Sequence, residues 1–133
     1  MKIKILYLSI FIAISLLVSS CNKEEVVPAP VIKVFANDAE QLSDTLKITR
    51  STTVSYRFEV NASTTITSLR SVNYDISVPG KKTGNEIQVG GLSNSTTENV
   101  KGIIKPTVNT ELMLIVNDLA GNETAKSLVL ILQ

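Results

Sequence analysis

The sequence predicts an all-β domain: about seven to eight short strands in two packed sheets, after a cleaved N-terminal segment. Three observations carry this. TVSYRFEV puts Val54, Tyr56, Phe58 and Val60 on one face and Ser55, Arg57 and Glu59 on the other, the period-two pattern of a half-buried strand. Near the end, TELMLIVND and TAKSLVLIL flank NDLAGNE, in which Gly121 can take positive φ and Asn122 tolerates the left-handed region, so a hairpin turn is expected. Beyond residue 30, Thr and Val are the commonest residues, and β-branched side chains favour strand.

In chain order the candidate strands begin with VIKVF (Val31–Phe35) and DTLKIT (Asp44–Thr49), followed by TVSYRFEV. In TITSLRSVNYDI the apolar spacing slips from three to two across Ile66, Leu69, Val72, Tyr74 and Ile76, which predicts a bulge or bend near Ser68–Ser71. EIQV (Glu86–Val89) follows the loop VPGKKTGN, and NVKGIIKP (Asn99–Pro106) is a weaker strand. In TELMLIVND, Leu112, Leu114 and Val116 alternate with Met113 and Ile115, so this strand is apolar on both faces, as a central or covered strand is. This many short strands in about 100 residues, with turn signals between them, is the signature of an immunoglobulin-like β-sandwich. No cysteine pair and no Trp is available to pin its core in the antibody manner.

The N-terminus reads as a targeting segment. MKIK is a positive n-region, Ile5 to Val18 is an apolar run of 14 residues, and Ser19 and Ser20 are small. A membrane-spanning helix needs roughly 20 apolar residues, so the run is short for a permanent span. VSSC (Val18, Ser19, Ser20, Cys21) resembles a bacterial lipobox. That resemblance implies cleavage before Cys21 by lipoprotein signal peptidase and a diacylglycerol on the Cys21 sulfur. Two or three acyl chains, at roughly 0.8 kcal/mol per buried methylene, give stable anchoring. The lone cysteine then needs no disulfide partner.

Lys23, Glu24 and Glu25 resemble the lipoprotein export signal of Bacteroidetes, which implies the outer face of the outer membrane; the bland alternative is a charged tether with the domain in the periplasm. VVPAP (Val26–Pro30) reads as a stiff spacer holding the domain off the membrane. The division is therefore 1–20 signal peptide, 21–30 lipidated tether and linker, and 31–133 sandwich. The proline-rich linker before PVIKVF, and IVNDLAGNETAKSLVLIL at the end, resemble short Bacteroidetes lipoproteins with bacterial Ig-like domains.

Charge and composition exclude several functions. Without its first 20 residues the chain keeps 11 basic and 12 acidic side chains, so no basic patch for nucleic acid is visible. With no histidine, His-dependent triads, His metal ligands and His switches are absent. No catalytic residue, metal site or cofactor is assigned. NDLAGN offers Asn117, Asp118 and Asn122 as oxygen donors, but calcium wants six to eight oxygens and the turn reading is better. GKKTG lacks the residue order of a phosphate loop. Glu59, Asp75, Glu86 and Glu98 are for the most part read as outward strand charges.

What remains is a membrane-anchored, non-catalytic module for binding or adhesion, with a protein or glycan partner. The alternative is a structural accessory or spacer subunit of a larger outer-membrane complex. Tyr56 and Phe58 belong to the core face, so Tyr74 is the candidate ring for sugar stacking, with Lys81 and Lys82 as loop cations for an anionic partner. DTL (Asp44–Leu46) resembles the Bacteroidetes O-glycosylation acceptor, which makes Thr45 the candidate site.

Overall fold

The structure, a computed structural model, describes residues 25–89 and 94–133. The expected Cys21 lipidation site, its lipobox Val18–Ser20, and Lys23 and Glu24 lie outside these residues. Every regular element among the described residues is a strand: β1 (Val31–Ala36), β2 (Ala39–Glu40), β3 (Thr45–Ile48), β4 (Val54–Asn61), β5 (Ile66–Asp75), β6 (Thr83–Gln88), β7 (Thr97–Ile104), β8 (Thr110–Asp118) and β9 (Glu123–Leu132). They form two sheets, ordered β2-β1-β4-β7 and β3-β9-β8-β5-β6, which face each other as an Ig-like sandwich.

The eight strands expected from the sequence are all present, and β2 is a ninth. Asn37 and Asp38 both take positive φ, 49° and 65°, and turn Ala39–Glu40 back onto Phe35–Ala36. Two consecutive left-handed residues are what a tight two-residue hairpin requires, and Asn and Asp tolerate them best after glycine. The Asn37 carboxamide oxygen accepts the Ser55 backbone N–H at 3.1 Å, and Asn37 N–H donates to the Ser55 carbonyl at 2.8 Å, tying the turn to β4.

After β2 the chain changes sheet. The Asp44 carbonyl accepts the Val129 N–H at 2.7 Å, and β3 runs parallel to β9 from Thr45↔Val129 to Ile48↔Leu132. All other strand pairs are antiparallel.

The core lies between the sheets. β4 sends in Val54, Phe58 and Val60; β1 adds Ile32, Val34 and Ala36; β8 and β9 add Leu112, Leu114, Val116, Leu128 and Leu130. Tyr56 packs at the edge of this cluster, its ring edge-on to Phe58 with centroids 6.0 Å apart. Tyr56 fits because Gly102 stands opposite it on β7: a Cβ there would lie 2.6 Å from the Tyr56 hydroxyl.

The irregularity in β5 falls earlier than expected. The register shifts between Ile66 and Ser68, so the bulge is at Thr67 rather than within Ser68–Ser71. That single extra residue lets Ile66 and Leu69 both face the core. The next slip, from Leu69 to Val72, is not a bulge. Val72 stands directly opposite Met113 on the outward side of the sheet, yet is only 2% exposed.

The segment read as a stiff spacer packs on the domain. Pro30 is buried, and the Asn122 side-chain amide donates to the Val27 carbonyl at 3.3 Å. Strand directions place this entry at the same end as the β4–β5, β6–β7 and β8–β9 connections; the β1–β2, β3–β4, β5–β6 and β7–β8 connections share the other end.

Candidate functional site

Tyr74 and Lys82 come together at the β5–β6 end. The Lys82 Nζ lies 5.5 Å from the Tyr74 ring centroid and forms an ion pair with Glu111. Glu111 is buried on the outward side of β8, opposite Tyr74, and its other oxygen accepts the Ser127 hydroxyl at 2.8 Å. Gly80, at φ 75°, makes the turn that carries Lys81 and Lys82, and both lysines line a shallow depression of about 490 Å³ with Ile76, Val78 and Glu111. Tyr74 is therefore a half-buried ring with a cation over its face, not an open platform. Sequence reasoning missed Glu111, although its alternation with Met113 and Ile115 already put it on the outward face of an apolar strand.

Thr45 begins β3, an edge strand, and is exposed. Its neighbour Asp44 pairs with Lys126 at 2.6 Å. A glycan on Thr45 would meet no overlying strand. Glu25, the one residue of the expected export signal within the described chain, is exposed and shares a cavity wall with Ala120 and Asn122. Glu59 and Glu86 do face outward, whereas Glu98 falls in the inward phase of β7 opposite Val60.

A second concave feature was not foreseen. On the outward side of the four-stranded sheet, a bowl of about 340 Å³ is lined by Phe35, Asp38, Ser55, Arg57, Lys101 and Ile103, with Tyr56 and Gly102 also contributing. Phe35, Arg57 and Lys101 form one cross-strand row. The Arg57 guanidinium sits 4.4 Å from the Phe35 ring centroid, a cation–π arrangement. Arg57 Nε is also 3.1 Å from a Glu59 oxygen, off the N–H direction, so the contact is an ion pair and not a hydrogen bond. The signal in the sequence was weak: only the strand register shows that Phe35 and Arg57 share a face.

The outward side of the five-stranded sheet is different. Val72, Met113 and Ile115 lie on it, with Ala125, Val129 and Ile131 beside them on β9. Arg70, on β5, reaches across β8 to Glu123 at 2.9 Å and contacts Glu86 on β6 at 3.4 Å.

The NDLAGNE turn behaves as the turn reading expected. Gly121 takes φ 86°, and Asn122, instead of going left-handed, holds Asp118: its backbone N–H donates at 2.8 Å and its side-chain amide at 3.0 Å. Burial pushes the Asp118 carboxyl up, but the bonds from Asn122 outweigh it and leave the pKa below the ordinary value. Asp75 is also lowered, chiefly by the Ser77 backbone N–H at 2.8 Å and then by its side chain. Both Asp118 oxygens already serve the turn, and among the described residues no three acidic or sulfur side chains gather as a metal site.

No family model and no curated protein matches this chain. Among solved structures, the crystal structure of Spo0M, a sporulation control protein from Bacillus subtilis, is similar over 80% of this chain at 7% identity and a TM-score of 0.43. The match covers 50% of the Spo0M chain, so the present chain spans about half its length.

Proposed function

We propose that this chain is a lipid-anchored lipoprotein of the outer membrane, facing the cell exterior, whose Ig-like sandwich is a non-catalytic interaction module with a protein partner. The anchor and address come from the lipobox resemblance at Val18–Cys21 and the export-signal resemblance at Lys23–Glu25. The non-catalytic reading rests on the lack of histidine and of any visible nucleophile–base pair in the sequence.

One observation favours protein over neutral sugar: both surface rings are capped. Lys82 stands over Tyr74 and Arg57 over Phe35, so neither offers the bare face that sugar stacking uses. A second reading, an accessory subunit of a larger outer-membrane complex, is favoured by the half-buried Met113 and Ile115 on the outward side of the five-stranded sheet.

Three measurements test this. On a glycan array, the purified lipoprotein should give no sugar-specific signal; a hit abolished by Tyr74→Ala overturns the protein-partner reading. Metabolic palmitate labelling should disappear in Cys21→Ser, and labelling that persists removes the anchor. Protease added to intact cells should cleave the domain, whereas full protection places it on the periplasmic side.

A further inference from the structure

We propose that the β8–β9 end of the sandwich rests against the lipid surface that holds Cys21, with Leu119 and Val26 touching the headgroup layer, and that the β5–β6 end points away from it. This rests on the lipid-anchor reading and adds an orientation and a lipid-facing surface to it.

The argument is one of chain length. Glu25 and Val26 line a cavity with Ala120 and Asn122, and Val27 is hydrogen-bonded to Asn122. The domain therefore begins, in effect, at Glu25 and not at Val31. Between Cys21 and Glu25 there are four residue steps, at most about 14 Å when fully extended. The ten residues of β9 run about 33 Å from the β8–β9 turn to the far end. A tether under half the length of the domain, attached at one end, keeps that end at the membrane and the other end away.

The near end offers exposed apolar side chains for a lipid contact, as the far end also does at Val78 and Val108, so tether length and not exposure separates the two. Leu119 is 71% exposed at the tip of the β8–β9 turn and Val26 is 88% exposed beside it. Interfacial apolar side chains of this kind add to an acyl anchor by entering the headgroup–acyl boundary. Residues 61–67 and 117–123 contain no lysine or arginine, whereas Arg50, Lys81, Lys82 and Lys105 lie in the connections of the far end. Charge alone would draw the far, basic end to an anionic bilayer. Tether length and surface charge thus make opposite forecasts, and the tether, being covalent, decides.

The test uses the full lipoprotein in vesicles whose headgroups carry a nitroxide quencher. Once Cys21 is acylated, Leu119→Cys and Lys81→Cys each supply a unique thiol for a fluorophore. The label at 119 should be quenched several-fold more than the label at 81. Equal quenching, or the reverse, overturns the orientation. An insert of about 20 Gly/Ser residues after Cys21, roughly 25 Å in r.m.s. length, should relieve the quenching at 119; unchanged quenching would mean that the tether does not set the contact. Failure of the anchor reads out separately: palmitate labelling that persists in Cys21→Ser refutes lipidation at Cys21, whereas a lipidated chain with the wrong quenching pattern refutes the orientation alone.

Discussion

On the outward side of the four-stranded sheet, β4 presents Ser55, Arg57 and Glu59, and β7 presents Asn99, Lys101 and Ile103. On the outward side of the five-stranded sheet, β8 presents Met113 and Ile115, with Val72 on one flank and Ser127 and Ala125 on the other. Both strands alternate with period two, but only in β4 does the alternation separate apolar from charged. The reason lies in strand position. β8 is the middle strand of five, so side chains on β5 and β9 shield its outward residues, and Arg70 bridges it to Glu123. β4 has the edge strand β7 on one side, which leaves its outward residues nearer water. Burial in this molecule is thus not confined to the core: Val72 faces outward and is 2% exposed, whereas Ile103, also outward, is 76% exposed.

The same substitution on the two faces should therefore give very different results. Val72→Asp places a carboxylate where it has little water and no arranged partner, and should cost about 3–5 kcal/mol. Ile103→Asp replaces an exposed side chain and should change stability by no more than about 0.5 kcal/mol. Urea denaturation of both variants measures the contrast, and similar midpoints would mean that the outward side of the five-stranded sheet is as wet as that of the other.

The four-stranded sheet has its own tight point, at its edge. Gly102→Ala forces the Tyr56 hydroxyl, 2.6 Å from the new Cβ, to move. The Tyr56 ring end can shift only by giving up its place against Phe58, so the cost should be about 1–3 kcal/mol. Thermal melts would show it, and an unchanged Tm would mean that the close approach is not felt. The effect lies between those of the two faces because the obstacle is a side-chain tip and not backbone.

The ion pairs over the five-stranded sheet should matter less. The Arg70 guanidinium is 32% exposed, and its pairing with Glu123 should contribute no more than about 1 kcal/mol in a double-mutant cycle of Arg70→Ala and Glu123→Ala. A larger coupling would show that Arg70 roofs the apolar row and does more than decorate it.

How far the sequence showed all this depends on whether a feature is local or long-range. The eight longer strands, the double-apolar character of β8 and the turn at Gly121 were legible because each is written in a few adjacent residues. The hairpin at Asn37–Asp38 escaped because β2 is two residues long, too short to show a period. The parallel pairing of β3 with β9 escaped because those strands lie at opposite ends of the domain sequence. Val72 was assigned to the same apolar series as Leu69, since spacing alone does not tell a bulge from a change of face. The pairs Arg57–Phe35 and Lys82–Glu111 depend on register between strands, and register is absent from a linear pattern. The bowl beside Phe35 was for that reason invisible, while Tyr74 and Lys82 were named without the carboxylate that joins them.

The smallest effect expected near neutrality comes from the ends of the sandwich and not its faces. Asp118 closes β8 at one end and Asp75 closes β5 at the other, and both carboxyls sit below the ordinary value of 3.8. A carboxyl whose pKa is lower in the folded state than in the unfolded chain binds its proton more weakly when folded. Its stabilising effect is therefore complete above the unfolded value, about 3.9, and is lost as pH falls through the folded one. Asp118→Asn keeps the side-chain shape but cannot titrate, so its stability should vary less with pH below about 4 than that of the parent chain. Denaturation midpoints measured across that window for the parent, Asp118→Asn and Asp75→Asn should show a shallower acid slope in each variant. If Asp118→Asn retains the full slope, the bonds from Asn122 do not hold the carboxylate, and the turn that also grips Val27 is looser than its geometry indicates.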